Sequence, residues 1–291
     1  MISVVGPGGV GGLLAGLLLR AGIRTTVVAR PGTAARIASE GLTIDSVAYG
    51  RFHVVVPAAT TPPLGSAVIV AVKSYGLEDI IPGLVAARPT EVLSLLNGVS
   101  HVGLVHNALD DPTGGRVTCG SIDVVSARRP DHVIEHSTGS CRVTARDGTA
   151  EWRTIKALGA AGVTVRTRGT ENEVLWRKLR YLAPMALLTA WQDRPIGAAL
   201  RAEPDVTDGL IREVAAIATA AGLPSSFTDL REQLFGVTPG ATSSLQRDVR
   251  AGGPCELEAL GTHLVELGAL HGIDTPHLQR IVTALTARLQ G

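Results

Sequence analysis

Ile2-Ser3-Val4-Val5-Gly6-Pro7-Gly8-Gly9-Val10-Gly11-Gly12-Leu13-Leu14-Ala15-Gly16 is a short strand-like run, a glycine cluster and the start of a helical pattern. Ile2–Val5 reads as a strand, and helical spacing follows from about Val10 to Ala21. Gly6, Gly8 and Gly11 have the G-x-G-x-x-G spacing at this strand-to-helix turn. Each glycine has a physical task there. The first permits the tight turn, the second lets backbone approach a pyrophosphate, and the third lets helix and strand close on each other. The helix N-terminus offers unpaired N–H groups to phosphate oxygens. In that context Gly6, Gly8, Gly9, Val10 and Gly11 are candidate dinucleotide contacts, against the alternative of a merely glycine-rich packing turn.

Outward from this loop, Thr25–Ala29, Ala67–Val72 and Glu91–Leu96 are further short apolar runs separated by helix-length segments. That alternation predicts βαβ units and a parallel sheet. The pattern turns β-rich from Val117 to Ala145, and Val163–Thr167 reads as the last strand. Beyond Thr170 the spacing is helical over Glu171–Ala190, Val206–Ala221, Ser225–Phe235, Glu256–His271 and Pro276–Leu289, with glycine and proline breaks between. The expected organisation is an α/β, doubly wound domain with a parallel sheet and a dinucleotide site over residues 1–169 and an all-α domain over 170–291.

Composition narrows the classes. Of 291 residues, 45% are apolar and 18% charged, enough for a packed core. Aromatics are 3% and the net charge is +1, which argues against nucleic acid or an anionic membrane as partner. Three cysteines, widely spaced, make neither a disulfide framework nor a CxxC pair. His132 and His136 have helical i,i+4 spacing but fall in a strand-like region with no acidic–histidine cluster around them, so no metal site is expected. The apolar run Leu13–Leu19 has no Lys or Arg before it and is broken by glycines, so neither a signal peptide nor a membrane anchor is expected. The expectation is a cytoplasmic protein.

The second strand ends Val27-Val28-Ala29-Arg30, with no acidic residue before Glu40. A carboxylate here would grip a ribose 2′-OH; a guanidinium suits a 2′-phosphate. Arg30 therefore favours NADPH over NADH, the alternative being a solvated surface arginine. Lysine is scarce: Lys73, Lys156 and Lys178 are the three among 27 basic residues. A buried lysine can give up a proton, which arginine cannot, so each is a candidate acid or base. Lys156 reads as a surface residue, Lys73 follows a strand at the ligand-binding edge, and Lys178 lies early in the first long helix.

Gly6/Gly8/Gly11, Arg30, Val72-Lys73-Ser74-Tyr75, Leu96-Asn97-Gly98, Leu175-Trp176-Arg177-Lys178-Leu179, Thr242–Asp248, Glu256 and His271–Pro276 occur together, in order. In this combination the chain resembles the ketopantoate reductase family across nearly its whole length. The resemblance implies a Rossmann domain followed by a helical domain, an active site in the cleft between them, and NADPH-dependent reduction of a 2-keto acid to a 2-hydroxy acid. It implies that Lys178 is the general acid and that Glu256 orients substrate and lysine. Ser244 would bind substrate, and Asn97 and Lys73 would line the nicotinamide side. Glu256 as an ordinary acidic residue at a helix start, Asn97-Gly98 as a turn and Ser243-Ser244 as a helix cap are the plainer readings.

Four positions depart from the family's pattern. Two amides expected on the lysine's helix face are Leu182 and Ala186, another is Ala241, and a fourth is Gly261. Leu182 and Ala186 accordingly enter the candidate substrate-binding set with Asn97 and Ser244. Loss of hydrogen-bonding side chains predicts a small ketone substrate less polar or bulkier than ketopantoate. True ketopantoate reduction and an NADP(H) sensor with a vestigial site are the alternatives. The long amphipathic helices 206–221 and 256–271 suggest a homodimer.

Overall fold

A computed structural model describes residues 1–110 and 116–290. The chain forms two compact units. One comprises Met1–Leu96 and His101–Val174, the other Asn97–Ser100 and Leu175–Gly291.

The first unit is built on six strands: β1 (Ile2–Val5), β2 (Thr25–Val28), β3 (Ala58–Ala59), β4 (Ala67–Val70), β5 (Glu91–Ser94) and β6 (Arg116–Cys119). Their order is β3-β2-β1-β4-β5-β6, and every neighbouring pair is parallel. β1, β2, β4 and β5 are buried at every residue, as a parallel sheet covered on both faces requires. Strand order reverses between β1 and β4, the switch point where such sheets bind ligands. Pairing stops at Val70 and Ser94, short of the Val72 and Leu96 expected from apolar runs. For β4, the turn at Gly6 ends its neighbour β1 after Val5.

Two smaller sheets complete this unit. One has the order Ser126–Arg128, Ile134–His136, Leu42–Ser46, Gly50–Val54; the other is Thr164–Thr167, Arg142–Ala145, Ser121–Asp123. The first lies directly against helix α1 (Gly9–Arg20). Cβ atoms at Gly9, Gly12 and Gly16 would fall 2.3 Å from Ser126 O, 2.8 Å from Ile134 Cδ1 and 2.7 Å from Ile44 Cγ1. Bare glycine on this face is what lets helix and strands meet so closely. Buried Glu91 accepts from the backbone N–H groups of Arg153 (2.9 Å) and Thr154 (3.0 Å). It supplies from a distant strand the cap that helix Arg153–Ala160 lacks at its own N-terminus.

Every regular element described in the second unit is helical. Helix Glu171–Gln192 runs into it, followed by Ile196–Ala202, Pro204–Ala220, Phe227–Phe235, Ser244–Arg250, a π turn at Glu258–Thr262 leading into His263–Leu270, and Pro276–Gln290. The two seven-residue helices at 196 and 244 are too short to show periodicity in sequence. Trp176, Leu179, Leu210, Val214, Leu264 and Ile281 belong to one buried core. Among the described residues no helix is long and apolar enough to cross a membrane.

Candidate active site

The glycine loop takes the shape its chemistry needs. Gly6 has φ +88°, and a Cβ there would sit 2.6 Å from Val72 Cγ1. Gly8 is exposed with nothing within 4 Å of a would-be Cβ, so its backbone is approachable. A Cβ on Gly11 would fall 2.2 Å from Gly6 O, inside any tolerable contact. Val10 is half-buried. Gly9 faces the strand Ser126–Arg128, and its carbonyl accepts from Ser126 Oγ at 2.9 Å. Helix α1 has no side-chain cap, which leaves its first N–H groups for an anion. These residues fit a dinucleotide's pyrophosphate.

Arg30 stands where β2 leaves the sheet, in extended conformation (ψ 151°) before Pro31, which opens helix Pro31–Glu40. Proline at a first helical position forces this boundary. The Arg30 guanidinium is 83% exposed and lies 3.5 Å from the Asp79 carboxylate, itself 70% exposed. Such a surface pair contributes little and yields easily to a phosphate. Lys73, partly buried, follows β4 and precedes the 3₁₀ turn Ser74–Gly76.

The second unit holds the other candidates, and it joins three of them directly. Lys178 Nζ donates to Asn97 Oδ1 at 2.9 Å, and Asn97 Nδ2 donates to Glu256 Oε2 at 3.1 Å. Ammonium only donates and carboxylate only accepts, so the amide between them has one possible orientation. Lys178 is half-buried on helix Glu171–Gln192, and Glu256 is 2% exposed just before the π turn. Glu256 is thus no ordinary surface carboxylate at a helix start. Asn97-Gly98 is a turn and also a docked one. Gly98 has φ +83°, and a Cβ on it would lie 2.9 Å from Ala259 O in the π turn. The loop that carries Asn97 and the turn that follows Glu256 are therefore packed together. Neither Gly98's contact nor the π turn leaves a signal in residue spacing.

Ser243 and Ser244 have different positions. Ser243 is the cap, accepting from Gln246 N, and its hydroxyl meets Thr189 Oγ1 at 2.8 Å in the core. Ser244 is the first helical residue and half-buried. The four departures also divide. Leu182, one turn beyond Lys178, and Ala241 keep partial exposure. Ala186 is 1% exposed within the core, and a Cβ on Gly261 would press on Val282 Cγ2 at 2.8 Å and Leu187 Cδ2 at 3.2 Å. Gly261 accordingly serves close packing.

An amine positioned by amide and carboxylate can protonate a carbonyl oxygen as negative charge builds on it. With a switch-point glycine loop on a parallel sheet, this is the equipment of an oxidoreductase. Comparison with known proteins gives the family. The profile described as ketopantoate reductase PanE/ApbA matches residues 2–147, and its C-terminal counterpart matches 172–289. The chain belongs to the ketopantoate reductase PanE/ApbA family. It is 27% identical to a 2-dehydropantoate 2-reductase of Caulobacter vibrioides, over 98% of each chain. The crystal structure of a PanE/ApbA family ketopantoate reductase from Ralstonia eutropha superposes with a TM-score of 0.89 at 24% identity, covering 100% of this chain and 99% of that one. D-mandelate dehydrogenase in ternary complex with NADH and anilino(oxo)acetate shares the fold, with a TM-score of 0.86 at 16% identity and coverage of 100% and 99%.

Proposed function

We propose that the protein is an NADPH-dependent reductase of a 2-keto acid or related ketone less polar than ketopantoate. The observation that carries this reading is the Lys178–Asn97–Glu256 chain. A bound nicotinamide dinucleotide would supply the hydride. Gly6, Gly8, Gly9, Val10 and Gly11 would hold the pyrophosphate, Arg30 the 2′-phosphate, and Lys73 and Asn97 would border the nicotinamide.

Lys178 acts as general acid. Its ammonium is fixed by Asn97 Oδ1, so a proton on Nζ is available where charge develops on the substrate oxygen. Asn97 is held in turn by Glu256, which keeps the amide from rotating and offering its N–H groups to the lysine. Ser244 would bind the substrate's polar end. Leu182 would present an apolar surface one helical turn from the acid, where an amide would otherwise demand a hydrogen-bonding partner; Ala186 would serve by its small size rather than by contact. This reading assigns residues 1–169 to the dinucleotide and 170–291 to substrate and to a cytoplasmic homodimer.

The test is NADPH consumption at 340 nm against a panel of 2-keto acids of graded polarity, ketopantoate included. The expected result is turnover that favours apolar side chains. Ketopantoate turnover with kcat/KM of about 10⁴–10⁶ M⁻¹s⁻¹, an ordinary enzyme range, overturns the altered-substrate reading. Tight NADPH binding without turnover of any member identifies a sensor instead.

A further inference from the structure

Away from these residues, the first unit holds a second group of chemistry-bearing side chains. His106 on helix His101–Leu109, Cys119 at the end of β6 and Glu171 offer nitrogen, sulfur and oxygen atoms that all lie within 4.8 Å of one another. We propose that His106, Cys119 and Glu171 form a zinc site, with the fourth position left to solvent or a small anionic ligand.

The donor set is the first argument. One imidazole, one thiolate and one carboxylate are ligands zinc accepts, and three protein ligands with an open fourth position is a recurrent arrangement. Tetrahedral zinc, with bonds of about 2.0–2.3 Å, sets its ligand atoms about 3.3–3.7 Å apart. His106 Nε2 and Glu171 Oε1 stand 2.8 Å apart, so this pair opens by about half an ångström to take the ion, while all three ligand atoms already lie within 4.8 Å of one another.

The surroundings are the second argument. Glu171 Oε2 is anchored by Cys119 N at 2.7 Å and Thr118 Oγ1 at 2.9 Å, which turns Oε1 toward the imidazole. His106 Nδ1 lies 3.4 Å from Asp110 Oδ2. A ligating histidine characteristically passes its second ring N–H to a carboxylate in this way. Cys119 is fully buried, and burial together with the nearby Glu171 carboxylate pushes its thiol far above the usual range. Two groups that would be anionic are held side by side, and a divalent cation reverses the penalty. Ser94, register partner of Cys119, is also fully buried, and its hydroxyl hydrogen-bonds the Cys119 sulfur. His106 and Asp110 line a cavity of about 480 Å³, which gives solvent a route to the imidazole.

Binding balances as proton release. The metal takes the thiolate of Cys119 and the Nε2 lone pair of His106. The thiol proton and the Nε2 proton that faces the Glu171 carboxylate leave to solvent, and the imidazole keeps one proton, on Nδ1 toward Asp110. The three ligands are 52 and 65 residues apart where they meet Glu171, so no sequence motif announces them.

The experiment is titration of the full-length, chelator-treated protein with Zn²⁺, and separately with Co²⁺ as optical probe. Expected are one equivalent of bound metal, a thiolate-to-Co²⁺ charge-transfer band, and a thermal midpoint that rises with Zn²⁺. Cys119→Ser abolishes the band, whereas Cys141→Ala and Cys255→Ala keep it, and Asp110→Asn weakens affinity about 10–100-fold. If Cys119→Ser fails to fold, the double variant Cys141→Ala/Cys255→Ala, in which Cys119 is the remaining cysteine, decides by keeping the band. No stoichiometric binding, or binding without the thiolate band, overturns the site.

Discussion

The glycine loop of the first unit and the Lys178–Asn97–Glu256 chain of the second are built by opposite means. The loop works through backbone. Its residues are consecutive, its geometry is set by missing side chains, and Gly6, Gly8 and Gly11 are each tied to a distinct steric condition. The chain works through side-chain tips. Its three members are 81 and 159 residues from one another along the sequence and meet through one amide. A backbone site tolerates substitution where there is space and fails where there is none. A side-chain site fails at any functional group, whatever the space.

Four measurements test that difference. The largest effect belongs to the side-chain site. Lys178→Ala should lower kcat about 10²–10⁴-fold with NADPH affinity, read by fluorescence titration, unchanged; a variant that keeps wild-type kcat removes the lysine from the chemistry. Next comes a paired test of the loop. Gly11→Ala forces a Cβ to 2.2 Å from Gly6 O, and overpacking of about 1–3 kcal/mol should drop the thermal midpoint by about 4–10 °C. Gly8→Ala, with open space above it, should leave the midpoint nearly unmoved and weaken NADPH alone. Equal effects on stability would deny the distinction between packing and ligand glycines.

Arg30→Asp should lower the kcat/KM preference for NADPH over NADH about 10–100-fold, the range of a hydrogen bond to a charged group. An unmoved ratio places the 2′-phosphate elsewhere. The smallest effect separates two histidines by NMR titration. In the metal-free protein, burial works to lower His106, but the hydrogen bond and charge of Glu171 and then Asp110 outweigh it, so it should titrate above the ordinary value of 6.5. Burial lowers His136, which should titrate below 6.5. The signs are opposite. Stability from His106 is present below pH 6.5 and lost as pH rises through its folded value; His136 favours the folded state less as pH falls below 6.5. His106→Gln and His136→Gln should therefore flatten the stability–pH curve on opposite sides of that value.

The same contrast explains what could be read from the sequence. Strand, loop and α1 were legible because their determinants are contiguous, and the long helices because an apolar stripe repeats. The smaller sheets were legible in part: Val117–Ala145 and Val163–Thr167 read as β, whereas Leu42–Ser46 and Gly50–Val54 were not singled out, the latter burying only Phe52 and Val54, and those by half. Glu91 looked like part of a strand, and nothing in its neighbours announces that it caps a helix starting at Arg153. Lys178 stood out through the scarcity of lysine; Asn97, Ser244 and Glu256 were singled out through the family resemblance. Spacing alone could not bring them together, since the bonds that do so cross the sequence. Ala186 and Gly261 were read as places where a polar grip was lost, but their burial gives them packing duties that an aligned position cannot reveal.

One consequence concerns dissection. The segment Asn97–Ser100 is enclosed on both sides in the chain by the sheet-bearing unit, yet belongs to the helical one. A truncated fragment starting at Leu175 would carry the amine and the carboxylate without the amide that bridges them, and would expose the shelf at Ala259 on which Gly98 rests. Limited proteolysis or split expression at that junction therefore yields no autonomous helical half with its polar triad intact.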